Sequence, residues 1–140
     1  MIQKQSHASV FVLDQDEALA FYRDTLGFDV RADMTMEGGF RWLTVGPKGQ
    51  PDFNLILIAP GPGPMFDAAT AEQVRSLVAK GVFGIGVFET ADCRATHDDL
   101  KSKGVQFMSP PTDRFNGIEA LARDNSGNWF SLTERKAWSS

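Results

Sequence analysis

Displaced by 77 residues, this chain falls back onto itself. Gly27 lands on Gly104, and the same displacement sets Val10 on Val87, Phe11 on Phe88, Ala18 on Ala95, Phe53 on Phe130 and Leu55 on Leu132. Single identities at Val, Ala and Leu carry little weight. One register that serves an opening strand, a helix and a closing strand carries more, and it implies two copies of one supersecondary unit. A unit of this size buries a sheet poorly by itself, so two copies are expected to pack as one domain.

The repeated unit reads as βαβββ. HASVFVLD, rich in Val and Phe, is a strand. In DQDEALAFYRDTLGF, Asp14 and Glu17 have capping-box spacing, Ala18, Phe21, Tyr22 and Leu26 form an apolar stripe, and Gly27 stands where a helix stops. FDVRADMTME, FRWLTVGP and FNLILIAP follow as strands, parted by the turn stretches EGG and GPKGQPD. PGPGP, residues 60–64, is a linker by composition, and AATAEQVRSLVAKG a short helix closed by Gly81. The pattern then restarts with strand FGIGVFET, helix ADCRATHDDLKSKG and strands VQFMSPP, GIEALARD and NWFSLTE. The expected fold class is α+β, with module one over about 1–60, linker and short helix over about 61–81, and module two over about 82–140.

Charge and cysteine content exclude several functions. Fourteen basic against 18 acidic residues, without a basic run, argue against nucleic acid as a partner. A single cysteine, Cys93, excludes an internal disulfide and a cysteine metal cluster, and fits a reducing cytoplasm. The longest apolar run, LILIAP, is far short of the roughly 20 residues that span a bilayer, and MIQKQSHASVF carries no apolar stretch of the signal-peptide kind. No Gly-x-Ser-x-Gly or P-loop is present, and the prolines of PGPGP remove the N–H groups that would cradle phosphate. A cytoplasmic protein with no membrane partner is expected.

The layout resembles the vicinal oxygen chelate superfamily, which includes glyoxalase I, the bleomycin-resistance proteins and the extradiol dioxygenases. FYRDTLGF is similar to its helix end, and DNSGNWFSLTE to its closing DP-x-GN-x-x-EL hairpin, with Asn125 where Pro is usual. The resemblance implies two tandem βαβββ modules forming a half-open eight-stranded barrel with helices outside. It also implies a ligand cavity on the concave face, often near a dimer interface, so a homodimer is expected. In metal-dependent members, His or Gln on the first strands and Glu or His on the last hold a divalent ion. By the 77-residue displacement the four positions here are His7, Asn54, Gly84 and Ser131. Glycine cannot ligate, Asn and Ser bind such ions weakly, and no carboxylate offsets the charge. A protein without a metal or other cofactor is therefore expected.

Strand alternation then outlines a ligand wall. With His7 inward, Ser9 and Phe11 follow, as do Gly84, Gly86 and Phe88 in the second copy. Asn54, Ile56, Ser131 and Thr133 line the last strands, and Trp42 faces inward opposite Glu119 in the repeat. The second histidine, His97, falls on a helix away from this wall. Aromatics mixed with small neutral polar groups suit an aromatic or amphipathic small molecule. The expected function is stoichiometric capture of such a ligand, as in antibiotic resistance. The alternative is a lyase, isomerase or dioxygenase using a divalent metal or an acid–base residue such as His7 or Glu119.

Overall fold

Each half opens with a strand that runs into a helix capped by an aspartate. Asp14 Oδ1 accepts the Glu17 amide at 2.8 Å, and Asp92 Oδ1 accepts the Ala95 amide at 3.0 Å. Both satisfy helix N–H groups that have no partner in the helix itself. A computed structural model describes residues 1–136, which fall into two compact units, Met1–Ala79 and Lys80–Ser140, the second described to residue 136.

In the first unit, β1 (His7–Phe11), α1 (Gln15–Ala20), β2 (Asp29–Thr35), β3 (Arg41–Gly46) and β4 (Asn54–Ile58) are followed by α2 (Ala68–Lys80). The second unit has β5 (Gly84–Glu89), α3 (Cys93–Ser102), β6 (Gln106–Arg114), β7 (Gly117–Arg123) and β8 (Trp129–Arg135). Each forms a four-stranded sheet, of order β1-β4-β3-β2 and β5-β8-β7-β6, in which only the first pair is parallel. The fold is α+β, as expected.

The helix face of each sheet carries the core. In the first unit Ala18 and Tyr22 of the helical segment and Leu43, Val45 and Leu57 of the strands are fully buried. In the second, Phe130 is fully buried, and His97 of α3 lies edge-on to Phe107 of β6 at 4.3 Å. His97 is thus a packed helix residue, with Nδ1 3.0 Å from Asp98.

The strict 77-residue register does not survive. Two single-residue insertions offset one another. In β5 a bulge lies between Gly84 and Gly86, with Gly86 at φ +130°, a conformation that L side chains rarely adopt. After it the halves correspond at 78: Asp92 matches Asp14, and the Thr90 amide bonds Thr133 O just as the Val12 amide bonds Ile58 O. The first unit then gains its own extra residue. α1 widens into a π-helical turn, Phe21–Thr25, where the Leu26 amide reaches Phe21 O at 2.9 Å. Gly27 and Gly104 fall back into step at 77. The turn between β7 and β8 is two residues shorter than that between β3 and β4, so the last strands correspond at 75: Val45 pairs with Leu55, Ala122 with Phe130. The identities Val10–Val87, Phe11–Phe88, Ala18–Ala95, Phe53–Phe130 and Leu55–Leu132 are therefore coincidences of sequence, not structural equivalents. β6 also runs past the expected VQFMSPP to Arg114. Its prolines are tolerated because β6 is an edge strand and its register shifts between Ser109 and Thr112.

Candidate functional site

On the face of the first sheet turned away from α1, β1 and β4 run parallel with His7 beside Asn54 and Ser9 beside Ile56. His7 and Ser9 are exposed. The His7 ring lies 5.9 Å from Trp42, and its Nδ1 is 2.8 Å from Ser6 Oγ. Asn54 Oδ1 is buried and has no hydrogen-bond partner. A buried acceptor without a donor is costly, and a donor on a bound molecule would satisfy it. Phe11, at the other end of β1, meets Phe66 at 5.7 Å. Five of the expected first-module residues, His7, Ser9, Trp42, Asn54 and Ile56, thus share one face, and Phe11 ties that face to the loop after β4.

That loop, Ala59–Phe66, arches over the β4 end. Gln15, Gly38–Arg41 and Ile58–Phe66 enclose a cavity of about 260 Å³ beneath it. Gln15 Nε2 donates to Leu57 O at 2.9 Å and to Arg41 O at 3.4 Å. The Arg41 guanidinium binds Asp33 and Asp16, which hold it charged well above its ordinary pKa, with Asp33 the larger influence. On leaving the arch, Asp67 caps α2 through the Thr70 amide at 2.7 Å, which holds its carboxyl below the usual range.

In the second sheet the corresponding face is polar. Ser131 Oγ donates to Glu119 Oε2 at 2.8 Å and lies 2.7 Å from Thr133 Oγ1. Because Ser131 spends its proton on Glu119, Thr133 donates to Ser131. Arg114 Nε stands 3.9 Å from the other Glu119 oxygen. Gly84 has no room for a side chain, since a Cβ there would lie 2.6 Å from the Trp129 ring.

The bulge corrects two expected placements. Beyond it Val87 stands beside Ser131 and Phe88 beside Leu132, so Phe88 turns to the helix face and packs on Phe130 at 5.1 Å. Val87, 62 % exposed, takes its place. Ile85 is the extra, unpaired residue of the bulge, and Gly86, expected on the wall, instead stands beside Phe130 in the helix-face row. Two aromatics were missed by sequence reasoning. Trp129 shares the strand parity of Ser131, so alternation contained it. Phe66 reaches the site by a long-range contact that leaves no local signal.

The four family positions do not fit a divalent metal. His7 is a single imidazole, the place of a side chain at Gly84 is taken by Trp129, and the Ser131 hydroxyl is committed to Glu119. The last-strand match of Ser131 is Ile56 rather than Asn54, which corresponds to Trp129. Among the described residues no three His, Cys, Asp or Glu side chains are grouped to hold an ion. Cys93 is buried, which raises its thiol pKa and leaves it inert; its amide donates to Glu134 Oε1.

A family model described as Glyoxalase/Bleomycin resistance protein/Dioxygenase superfamily matches residues 4–132. The chain belongs to this superfamily. Within the glyoxalase/bleomycin-resistance superfamily it is similar to the crystal structure of UcmS2, with 48% identity, 96% of this chain and 99% of that chain covered, and a TM-score of 0.90. It is also similar to TnmS3, described as an antibiotic binding protein from Streptomyces sp. CB03234, at 30% identity, 96% and 98% coverage and a TM-score of 0.75. An uncharacterized Bacillus subtilis protein, YurT, is 33% identical over 91% of this chain and 95% of its own length. Members of the superfamily bind small molecules, and no described helix is long and apolar enough to cross a membrane.

Proposed function

We propose that this superfamily member is a cytoplasmic, homodimeric binding protein that captures an aromatic or amphipathic small molecule of antibiotic type without using a metal. The observation that carries the reading is the unpaired Asn54 Oδ1 on the same sheet face as the Trp42 and His7 rings. Such a surface offers stacking plus an acceptor for a ligand N–H or O–H. The likeness to an antibiotic binding protein over almost the whole chain supports it. In this reading Trp42 is the anchor, His7, Ser9 and Asn54 supply hydrogen bonds, and Ile56 and Phe11 supply apolar contact. Glu119 and Ser131 form a second polar contact row, with Val87 in the place expected of Phe88 and no ligand contact assigned to Gly84 or Gly86.

The test is a calorimetric screen of aromatic antibiotics against the wild-type chain and Trp42→Ala, alongside elemental analysis after exposure to Zn, Ni, Mn and Fe(II). Capture predicts a one-to-one complex that Trp42→Ala weakens by about 1–3 kcal/mol. One tightly held ion per chain would overturn the metal-free reading and move the protein toward the enzymes of the superfamily.

A further inference from the structure

The cavity beneath the arch meets the Trp42 surface only where Phe66 touches Phe11, and its chemistry differs. Pro60, Pro62 and Pro64 have no N–H, so this wall presents pyrrolidine rings and carbonyl oxygens. Phe40, Met65 and Phe66 complete an apolar rim, on which Phe40 and Met65 are 43% and 55% exposed. The polar donors at the base are already engaged. Gln15 donates its amide protons to Leu57 O and Arg41 O, and the Arg41 nitrogens are bound to Asp33 and Asp16. The Gly63 amide is spent on Phe66 O at 2.9 Å. What remains is an apolar slot edged by acceptors, with its one cation compensated. Its volume of about 260 Å³ is below the range for a drug-sized ligand and suits one or two fused rings.

We propose that the space beneath the Pro60–Pro64 arch is a binding slot for a neutral planar ring that carries a hydrogen-bond donor, such as a phenol or an N–H heteroaromatic. The carbonyl-rich edge selects the donor, and the lack of an uncompensated cation disfavours an anion. The arch is held in place from both ends. Pro60 is buried against the end of β4, and Asp67 caps α2 directly after Phe66. The inference goes beyond the capture reading and does not depend on it, because Met65 lines the arch and not the Trp42 surface, and Trp42 does not line the arch.

The test is an amide NMR titration of the full chain with 2-naphthol, naphthalene-2-sulfonate and naphthalene. Saturable binding of 2-naphthol with shifts at Gly61, Gly63 and Phe66 is expected. Phe66→Ala should weaken it by about tenfold and Met65→Ala by about threefold, while Trp42→Ala leaves it unchanged. Met65 is exposed, so its variant keeps the test sound if Phe66→Ala fails to fold. Tighter binding of 2-naphthol than of either control supports the slot. Shifts confined to residues around Trp42 and His7, binding of the sulfonate as tight as that of the naphthol, or no saturable binding would overturn it. None of these three results touches the capture of a larger ligand by the Trp42 face.

Discussion

The two modules share a topology and hold their last hairpins by opposite means. In the first, the turn between β3 and β4 is gathered by a cation, with Arg31 donating to the carbonyls of Pro47, Gln50 and Pro51. In the second, the shorter turn between β7 and β8 is gathered by an anion, with Asp124 Oδ1 accepting the amides of Ser126, Gly127 and Asn128. The ligand-type faces differ in the same way. One is aromatic and leaves an acceptor unpaired, and the other is a closed chain of hydroxyl and carboxylate groups. A duplicated unit keeps its strand order and core rows while turns and exposed faces diverge, because only the former are fixed by close packing.

The core rows give the strongest test of the 75-residue correspondence. Leu55 and Phe130 occupy matching positions, 3% and 0% exposed. Phe130→Ala is expected to cost about 3–5 kcal/mol and Leu55→Ala about 2–5 kcal/mol in urea unfolding. A loss below about 1 kcal/mol at either position would break the correspondence, since that is the range of surface substitutions.

The hairpin contrast is next in size. Asp124→Ala strands three amides in a buried turn, and a loss of about 2–4 kcal/mol is expected. Arg31→Ala frees carbonyls that water can reach, so about 1 kcal/mol is expected. Equal losses would mean that the turns are held by something other than these two side chains.

Much of this was legible in the sequence because it is locally encoded. The Asp14 cap, the apolar stripe from Ala18 to Tyr22, the glycine stops and the succession of strands and helices along the chain all follow from residue spacing, and the structure has them. The facing of His7, Asn54 and Ser131 also survives, because a two-residue change in turn length preserves strand parity. Phe88 did not survive, because one inserted residue reverses parity and the insertion shows only in the pairing of β5 with β8. The glycine inside the strand was the signal for it. The arch cavity was illegible for another reason: it depends on Phe11 meeting Phe66 and on the turn at Gly38–Arg41 approaching residues 58–66, contacts distant in sequence.

Gly86 sharpens the comparison further, since it marks where the second module departs from the first. Its φ of +130° disfavours any side chain, although the space around it is open. Gly86→Ala should therefore cost about 1 kcal/mol or more through backbone conformation alone. Ala8, its counterpart in unbulged β1, should accept Gly at about the same small cost of chain entropy. Thermal unfolding of both variants checks this. A neutral Gly86→Ala would mean that the bulge relaxes and that β5 can take the register of β1.

The smallest expected effect concerns the first module alone and follows from Arg41. Its hydrogen bonds hold the Asp33 carboxyl below the ordinary aspartate range in the folded chain. A carboxylate with a lowered folded pKa contributes stability that is fully present above its unfolded value, about 4, and is lost as the pH falls through the folded value. Acid should therefore weaken the β2–β3 pairing around Asp33 and Leu43 below about pH 4. Asp33→Asn removes that titration and should flatten the acid limb of a urea midpoint plotted from pH 6 to pH 2.5. The change is modest because the carboxylate is solvent-screened at 36% exposure, and added salt should reduce it further. An acid limb in Asp33→Asn as steep as in the wild type would place the acid sensitivity elsewhere and leave the Arg41 cluster as a fixed strut at the base of the arch.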